Sequence, residues 1–95
     1  LSNAKFFREE MHTLGFNLSG ADHPIIPIII GDAILAKQMA DELNKQGIFV
    51  VNFSFPVVPK NKARIRVQIS SSHSKDNLKY AVKYFEEVAK KLNII

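Results

Sequence analysis

The chain has 95 residues, of which 46% are hydrophobic, so it fits one small domain with a single hydrophobic core rather than a disordered segment. It contains no cysteine, which excludes disulfides and thiolate chemistry and suits a reducing compartment. The net charge is +4, but the lysines are scattered among acidic residues, a pattern that favours a solubilising surface over a nucleic-acid-binding one.

The first predicted element is a helix that ends at Gly15, because apolar residues recur before it at steps of three and four: Ala4, Phe7, Met11 and Leu14. A loop follows, with room for a short strand from Phe16 to Leu18. The β-branched run from Ile25 to Ile30 predicts a second strand. Pro27 lies inside this run, so we expect the strand at a sheet edge or at a bulge.

The next predicted helix begins after Asp32, whose carboxylate can accept hydrogen bonds from the amides of the first turn. Gly47 is expected to end it, and its apolar residues form one stripe: Leu35, Ala36, Met39, Ala40 and Leu43. A lone Gly-Asp pair without a glycine-rich series is a weak phosphate-loop signal, so Asp32 is read as a helix cap. The segment from Ile48 to Phe53 then predicts a strand.

A stiff elbow follows this strand, since Pro56 and Pro59 fix their own backbone angles and restrict the residue before each. Asn61 is suited to a left-handed turn. The next strand alternates strictly, with Ala63, Ile65, Val67 and Ile69 apolar and Arg64, Arg66, Gln68 and Ser70 polar, which indicates one buried face. Ser74 can cap the last helix, whose predicted inner face contains Leu78, Ala81, Val82, Phe85, Ala89 and Leu92.

These elements predict an α+β fold in two layers, a small and mainly antiparallel sheet with helices on one face. We expect residues 1–95 to form a single domain, and the other face of the sheet to be lined by polar side chains, including both arginines. The chain does not begin with Met and enters a helical pattern at once, so we expect it to be a fragment of a longer protein.

Arg64 and Arg66 are the candidate binding residues. Residues two apart on a strand point to the same side, so both guanidiniums are expected to project from the polar face. A guanidinium held on a strand can bind a carboxylate or a phosphate through two parallel charge-assisted hydrogen bonds. Surface arginines are common, however, and the pattern alone favours two solvated side chains over a binding site.

The three histidines give no metal-ligand spacing. His73 lies just before the last helix and is expected to make a structural hydrogen bond there. His12 is placed on the outer side of the first helix and His23 in an extended loop before a proline. Composition and spacing therefore stop at a small α+β domain with a basic sheet face, and they assign no reaction.

Three motifs of the sequence resemble those of a known family: "HPIIPIIIGD", "GIFV" after the second helix, and "PVVPKNKARIR" followed by serines and a histidine. Together they resemble the C-terminal domain of the α-oxoamine synthases, and the likeness covers the whole chain. The sequence Phe-Pro-Val-Val-Pro is similar to the 2-amino-3-ketobutyrate CoA ligase (glycine C-acetyltransferase) branch, whereas sister enzymes tend to carry Pro-Thr-Val-Pro. Asn61 stands where the family usually has Gly.

This resemblance implies the C-terminal domain of a larger, homodimeric transferase that depends on pyridoxal 5'-phosphate (PLP) and has the fold-type I architecture. It implies an enzyme that interconverts glycine plus acetyl-CoA with 2-amino-3-ketobutyrate plus CoA in threonine breakdown. The second arginine of Ala-Arg-Ile-Arg, here Arg66, is then the ligand of the substrate carboxylate, while Arg64 inherits no role. The Schiff-base lysine belongs to the larger domain, so we expect no catalytic, cofactor-binding or metal residue here and no activity from this chain alone.

Three other interpretations stay open at this point: another α-oxoamine synthase of the 8-amino-7-oxononanoate synthase type, a stand-alone basic module for anions or nucleic acid, and a structural dimerisation domain. The expected partners are the large PLP domain and the two substrates, without nucleic acid or membrane. No secretory signal and no apolar run long enough to span a bilayer are visible in the sequence, so we expect a cytoplasmic location.

Overall fold

The computed structural model describes residues 2–20 and 24–95. Its elements, in chain order, are α1 (Asn3–Leu14), β1 (Asn17–Leu18), β2 (Ile25–Gly31), α2 (Ala33–Lys45), β3 (Val50–Phe53), β4 (Ala63–Gln68) and α3 (Lys75–Lys91). The four strands form one sheet in the order β1-β2-β4-β3, and every neighbouring pair is antiparallel. The predicted α+β fold with an antiparallel sheet and helices on one face is therefore confirmed.

The hydrophobic core lies between one face of the sheet and the three helices. The sheet contributes alternate residues of its long strands, namely Ile26, Ile28, Val50, Ala63, Ile65 and Val67, all buried. At one end of the core, Phe85 of α3 makes edge-to-face contacts with Phe7 and Phe16, at ring-centroid distances of 5.8 and 6.0 Å. The period-two burial of β4 leaves its alternate residues, both arginines included, on the face without helices.

The predicted helix ends are confirmed. The Leu35 amide donates to Oδ1 of Asp32 at 2.9 Å, so Asp32 is a helix cap. Gly15 ends α1 in the left-handed conformation with φ of 100°. Ser74 caps α3 through a reciprocal pair of bonds with Asn77, which fixes the start of this helix after β4.

The predicted edge position of the Pro27 strand is wrong, because β2 lies between β1 and β4 in the described sheet. The alternative, a bulge, has a counterpart in the register shift of β2 between Ile29 and Gly31. The Pro27 carbonyl accepts from the Ser19 amide at 3.2 Å, so the proline nitrogen also faces the β1 side. Since β1 ends at Leu18, the missing N–H of Pro27 falls beyond the end of that short strand and costs no ladder bond to β4.

Strand β3 begins at Val50, two residues later than the predicted start at Ile48. The Ile48 amide donates to the Leu43 carbonyl at 3.0 Å, as part of the turn that closes α2, with Gly47 left-handed at φ of 80°. This backbone bond places Ile48 in the turn, and Phe49 joins the turn to β3.

Candidate functional site

Strand β4 places Arg64 and Arg66 on the same face of the sheet, as predicted. In the ladder, Arg66 lies between Pro27 of β2 and Val51 of β3. Arg64 lies two residue pairs further along, between Ile29 and Phe53. The helices cover the opposite face of these strands, so we call the surface that carries the arginines the open face.

The Arg66 side chain is exposed, and its guanidinium stacks over the ring of Phe53, with Cζ 4.5 Å from the ring centroid. The salt bridges within residues 2–20 and 24–95 join lysines to acids of the same helix, and none of them involves Arg66. The guanidinium therefore stands at the surface without a carboxylate of the described residues to neutralise it.

Arg64 is placed differently, although it shares the strand and the face. It is half-buried, and its Nε donates to the Lys62 carbonyl at 3.4 Å, so it bonds back onto the turn that precedes its own strand. The two arginines are consequently not equivalent, and only Arg66 presents its guanidinium outward from the middle of the ladder.

The elbow before β4 is held by its own backbone bonds. The Val58 amide donates to the Ser54 carbonyl at 3.2 Å, and the Lys62 amide donates to the Pro59 carbonyl at 3.1 Å. Asn61 is left-handed with φ of 62°, as predicted from the sequence. Two prolines and two turn bonds therefore fix the path of the chain into the arginine strand.

The open face is less polar than predicted. Beside the arginines it carries Ile25, Pro27 and Ile29 of β2 together with Val51 and Phe53 of β3. The expectation of a face lined by polar side chains was wrong because it extended the alternation of β4 to the neighbouring strands. Both β2 and β3 are nearly continuous apolar runs, so their outward residues are apolar as well.

Sequence reasoning missed Phe53 as part of the site. The sequence does indicate that Phe53 and Val51 share a face of β3, because they are two residues apart on the strand. What the pattern could not supply was the register between β3 and β4, which makes Phe53 and Arg66 diagonal neighbours on the open face.

Four large apolar side chains on β3 and next to it, which we call the apolar rim, are strongly exposed: Phe49, Val51, Phe55 and Val57, at 83%, 58%, 58% and 76%. Phe49 precedes β3, Val51 lies on its open face, and the other two lie in the elbow. Large apolar side chains that cluster at the surface in this way are typical of a region that another protein surface covers.

The histidines take no part in this face. His73 accepts a hydrogen bond at Nδ1 from the Ser70 amide at 2.9 Å, which confirms its predicted structural role in the turn after β4. His12 is exposed on α1, as predicted, and His23 lies outside the described residues.

A groove of about 500 Å³ lies elsewhere, between the first half of α2 and β3, and its lining includes Ile34, Asn52 and the ion pair of Lys37 with Asp41. It contains neither arginine, so Arg66 stands on an open surface rather than in this groove. Within the described ranges, no three histidine, aspartate or glutamate side chains come close enough to hold a metal ion. No helix there is long and apolar enough to cross a membrane.

The sequence of this chain is similar to those of several known enzymes. The chain is 57% identical over 84 residues to the mouse 2-amino-3-ketobutyrate coenzyme A ligase, mitochondrial, covering 88% of the chain and 20% of that protein. It is 49% identical over 94 residues to the Escherichia coli K12 enzyme of the same name, with 99% and 24% covered. An 8-amino-7-oxononanoate synthase from Thermosipho melanesiensis is 48% identical over 93 residues, with 98% and 24% covered.

The chain thus spans only about a fifth to a quarter of the length of these relatives. One relative is named as mitochondrial, so the cytoplasmic location stays a prediction. These similarities confirm the resemblance to the 2-amino-3-ketobutyrate CoA ligases that the elbow and arginine motifs predicted.

Solved structures share the fold. A structure of SPT in its PLP internal aldimine form superposes with a TM-score of 0.90 at 21% identity, covering 98% of this chain and 24% of that one. The 8-amino-7-oxononanoate synthase of Francisella tularensis superposes with a TM-score of 0.79 at 26% identity, with 96% and 26% covered. The family model for aminotransferase class I and II matches residues 1–85. The chain therefore belongs to the class I and II aminotransferase family.

Proposed function

We propose that the chain is the C-terminal domain of a PLP-dependent acyltransferase that interconverts glycine plus acetyl-CoA with 2-amino-3-ketobutyrate plus CoA, in threonine degradation. In this proposal Arg66 binds the carboxylate of the amino-acid substrate. The observation that carries it is the exposed, strand-held guanidinium of Arg66, which no carboxylate of the described residues neutralises. The relatives with the highest identities quoted above are named for this reaction.

The physical role of Arg66 follows from its shape. A planar guanidinium can donate two parallel hydrogen bonds to one carboxylate, which fixes the direction of the carboxylate as well as its position. Holding the carboxylate in one orientation also sets the direction of the bonds at the neighbouring α-carbon, and such positioning is a large part of what a protein adds to cofactor chemistry. The bound cofactor would supply the electron withdrawal that labilises those bonds.

The residues that hold PLP are proposed to lie in the rest of the longer enzyme. A Schiff-base lysine needs a desolvated site that activates its amine. Lys60 and Lys62 are exposed in the elbow, and no charged residue of the described ranges is buried. We therefore expect the 95-residue chain alone neither to bind PLP specifically nor to turn over substrate, and an absorbance titration of the chain with PLP checks this directly.

The rest of that enzyme is the partner proposed for the exposed apolar rim. An isolated domain gains nothing from placing four large apolar side chains in water, whereas a domain that packs against a larger body buries them. In this arrangement Arg66 would face into the junction between the two, so that water is partly excluded and its bonds to a carboxylate strengthen. The longer enzyme is proposed to act as a homodimer.

The test is steady-state kinetics of the longer enzyme with glycine and acetyl-CoA. Arg66→Ala is expected to raise the KM for glycine and to lower turnover, and Arg66→Lys to recover little because an ammonium cannot reproduce the planar fork. Arg64→Ala is the matched control, since Arg64 bonds to the Lys62 carbonyl and has no proposed contact with substrate. Kinetics of Arg66→Ala equal to those of this control would exclude the carboxylate role.

A second candidate is an 8-amino-7-oxononanoate synthase, because a relative of that name is 48% identical over nearly the whole chain. Its product carries a methyl group beside the amino carbon, which alanine rather than glycine would supply. Turnover with alanine and none with glycine would favour this candidate, and the role of Arg66 would be the same in both.

A further inference from the structure

We propose that Phe53 is the positioning residue of the substrate-carboxylate site, holding the Arg66 guanidinium in the orientation that receives the carboxylate. This inference rests on the proposed function of Arg66. It concerns a side chain that neither the arginine motif nor the elbow motif contains.

The contact is a diagonal one across the ladder. Phe53 of β3 is registered opposite Arg64, and Arg66 is registered opposite Val51. The guanidinium nevertheless lies over the Phe53 ring at 4.5 Å, whereas Arg64 turns away to the Lys62 carbonyl. Diagonal neighbours on adjacent strands lie within reach of aromatic and long side chains, so the register makes this stack available without distorting either strand.

The Phe53 ring contacts the flat face of the Arg66 guanidinium, which a bound carboxylate leaves unoccupied. The ring attracts the face of the cation, while the N–H donors lie in the guanidinium plane and stay free at its edge. A carboxylate beside Arg66 would also orient it, but it would occupy the donors that the substrate requires. No salt bridge of residues 2–20 and 24–95 involves Arg66, so the ring orients the cation without competing for its hydrogen bonds.

Holding the cation in advance lowers the entropic cost of binding. A free arginine side chain occupies several rotamers, and a ligand that fixes one of them binds more weakly because the conformational entropy of the side chain is lost. Phe53 is half-buried and sits on a strand, so the ring itself is fixed. The expected consequence is tighter binding of the amino acid in ground and transition states alike, which appears in KM and in the dissociation constant rather than in kcat.

The test compares variants of the longer enzyme by two measurements, the equilibrium dissociation constant of glycine and the steady-state constants. Phe53→Leu removes the ring, and we expect the dissociation constant and the KM for glycine to rise roughly 5- to 10-fold with kcat within about 2-fold of wild type. Phe53→Tyr keeps an aromatic face and should restore both constants. If Phe53→Leu yields no soluble enzyme, Phe53→Ile replaces it, since a β-branched residue suits a strand and also lacks a ring.

Phe6→Leu is the matched control, because the Phe6 ring carries a comparable contact with Lys75 Nζ at 4.0 Å but lies on α1 in the helical layer. Unchanged glycine binding in Phe53→Leu, equal to that of Phe6→Leu, while Arg66→Ala weakens it, would overturn the inference and leave the proposed function standing. Unchanged binding in Arg66→Ala would instead remove the proposed function, and the role of Phe53 with it.

Discussion

Replacing Phe49 by serine should destabilise the longer enzyme but leave the stability of the 95-residue chain almost unchanged. Phe49 is 83% exposed in the described structure, so most of its side chain remains to be buried by whatever covers the apolar rim. Full burial of a phenylalanine side chain stabilises by about 1.5–3 kcal/mol, and four-fifths of that range is about 1–2.5 kcal/mol. Phe49→Ser should therefore destabilise the longer enzyme by roughly this amount.

In the 95-residue chain the same substitution acts on a solvated residue, and the free energy of unfolding should change by less than about 0.5 kcal/mol. The assay is urea denaturation followed by circular dichroism, run on wild type and variant in both contexts, so that each variant has its own control. A neutral Phe49→Ser in the longer enzyme would refute the argument that another part of the enzyme covers the apolar rim. A large loss in the 95-residue chain would refute the placement of Phe49 at the surface.

Substitutions at three further positions test the fold by denaturation of the 95-residue chain. Phe85→Ala should destabilise it by about 3–5 kcal/mol, since the ring is fully buried between two others, and a loss below 1 kcal/mol would contradict that cluster. Asn61→Val should cost about 1–3 kcal/mol because φ is 62° there, whereas Asn61→Gly should cost nothing. Ser74→Ala removes a capping side chain and should cost about 1 kcal/mol, with no change contradicting the capping box.

Local signals predicted most of the fold. The alternation of β4, the caps at Asp32 and Ser74, and the glycine that ends α1 each depend on a few neighbouring residues, and all agree with the structure. The placement of Arg64 and Arg66 on the same face of β4 also follows from the strand period alone. These features are set by short-range geometry, which is why one sequence was enough to predict them.

Apart from the start of β3, which a local turn sets, the errors concern contacts between distant segments. The position of β2 inside the sheet depends on pairing with a two-residue strand, which is too short to produce a periodic signal. The apolar character of the open face depends on which residues of β2 and β3 lie beside β4. The stack of Phe53 under Arg66 depends on register, and no pattern within either strand encodes it.

The role of Arg66 itself did not follow from periodicity, which favoured a solvated surface pair. It came from the resemblance of "PVVPKNKARIR" to a known motif, and the role of Arg66 remains a proposal. What the fold adds is a physical setting in which the role is feasible: an exposed guanidinium, stacked on a ring and without an acidic partner among the described residues.

A crystal structure of the longer enzyme with PLP and glycine bound would test the carboxylate-binding role of Arg66. We expect the glycine carboxylate to accept two hydrogen bonds from the Arg66 guanidinium at about 2.7–2.9 Å, the usual length of charge-assisted N–H to oxygen bonds. We also expect the Phe53 ring to remain against the flat face of that guanidinium. A carboxylate held by another group, with Arg66 turned to solvent, would contradict the proposed role of Arg66.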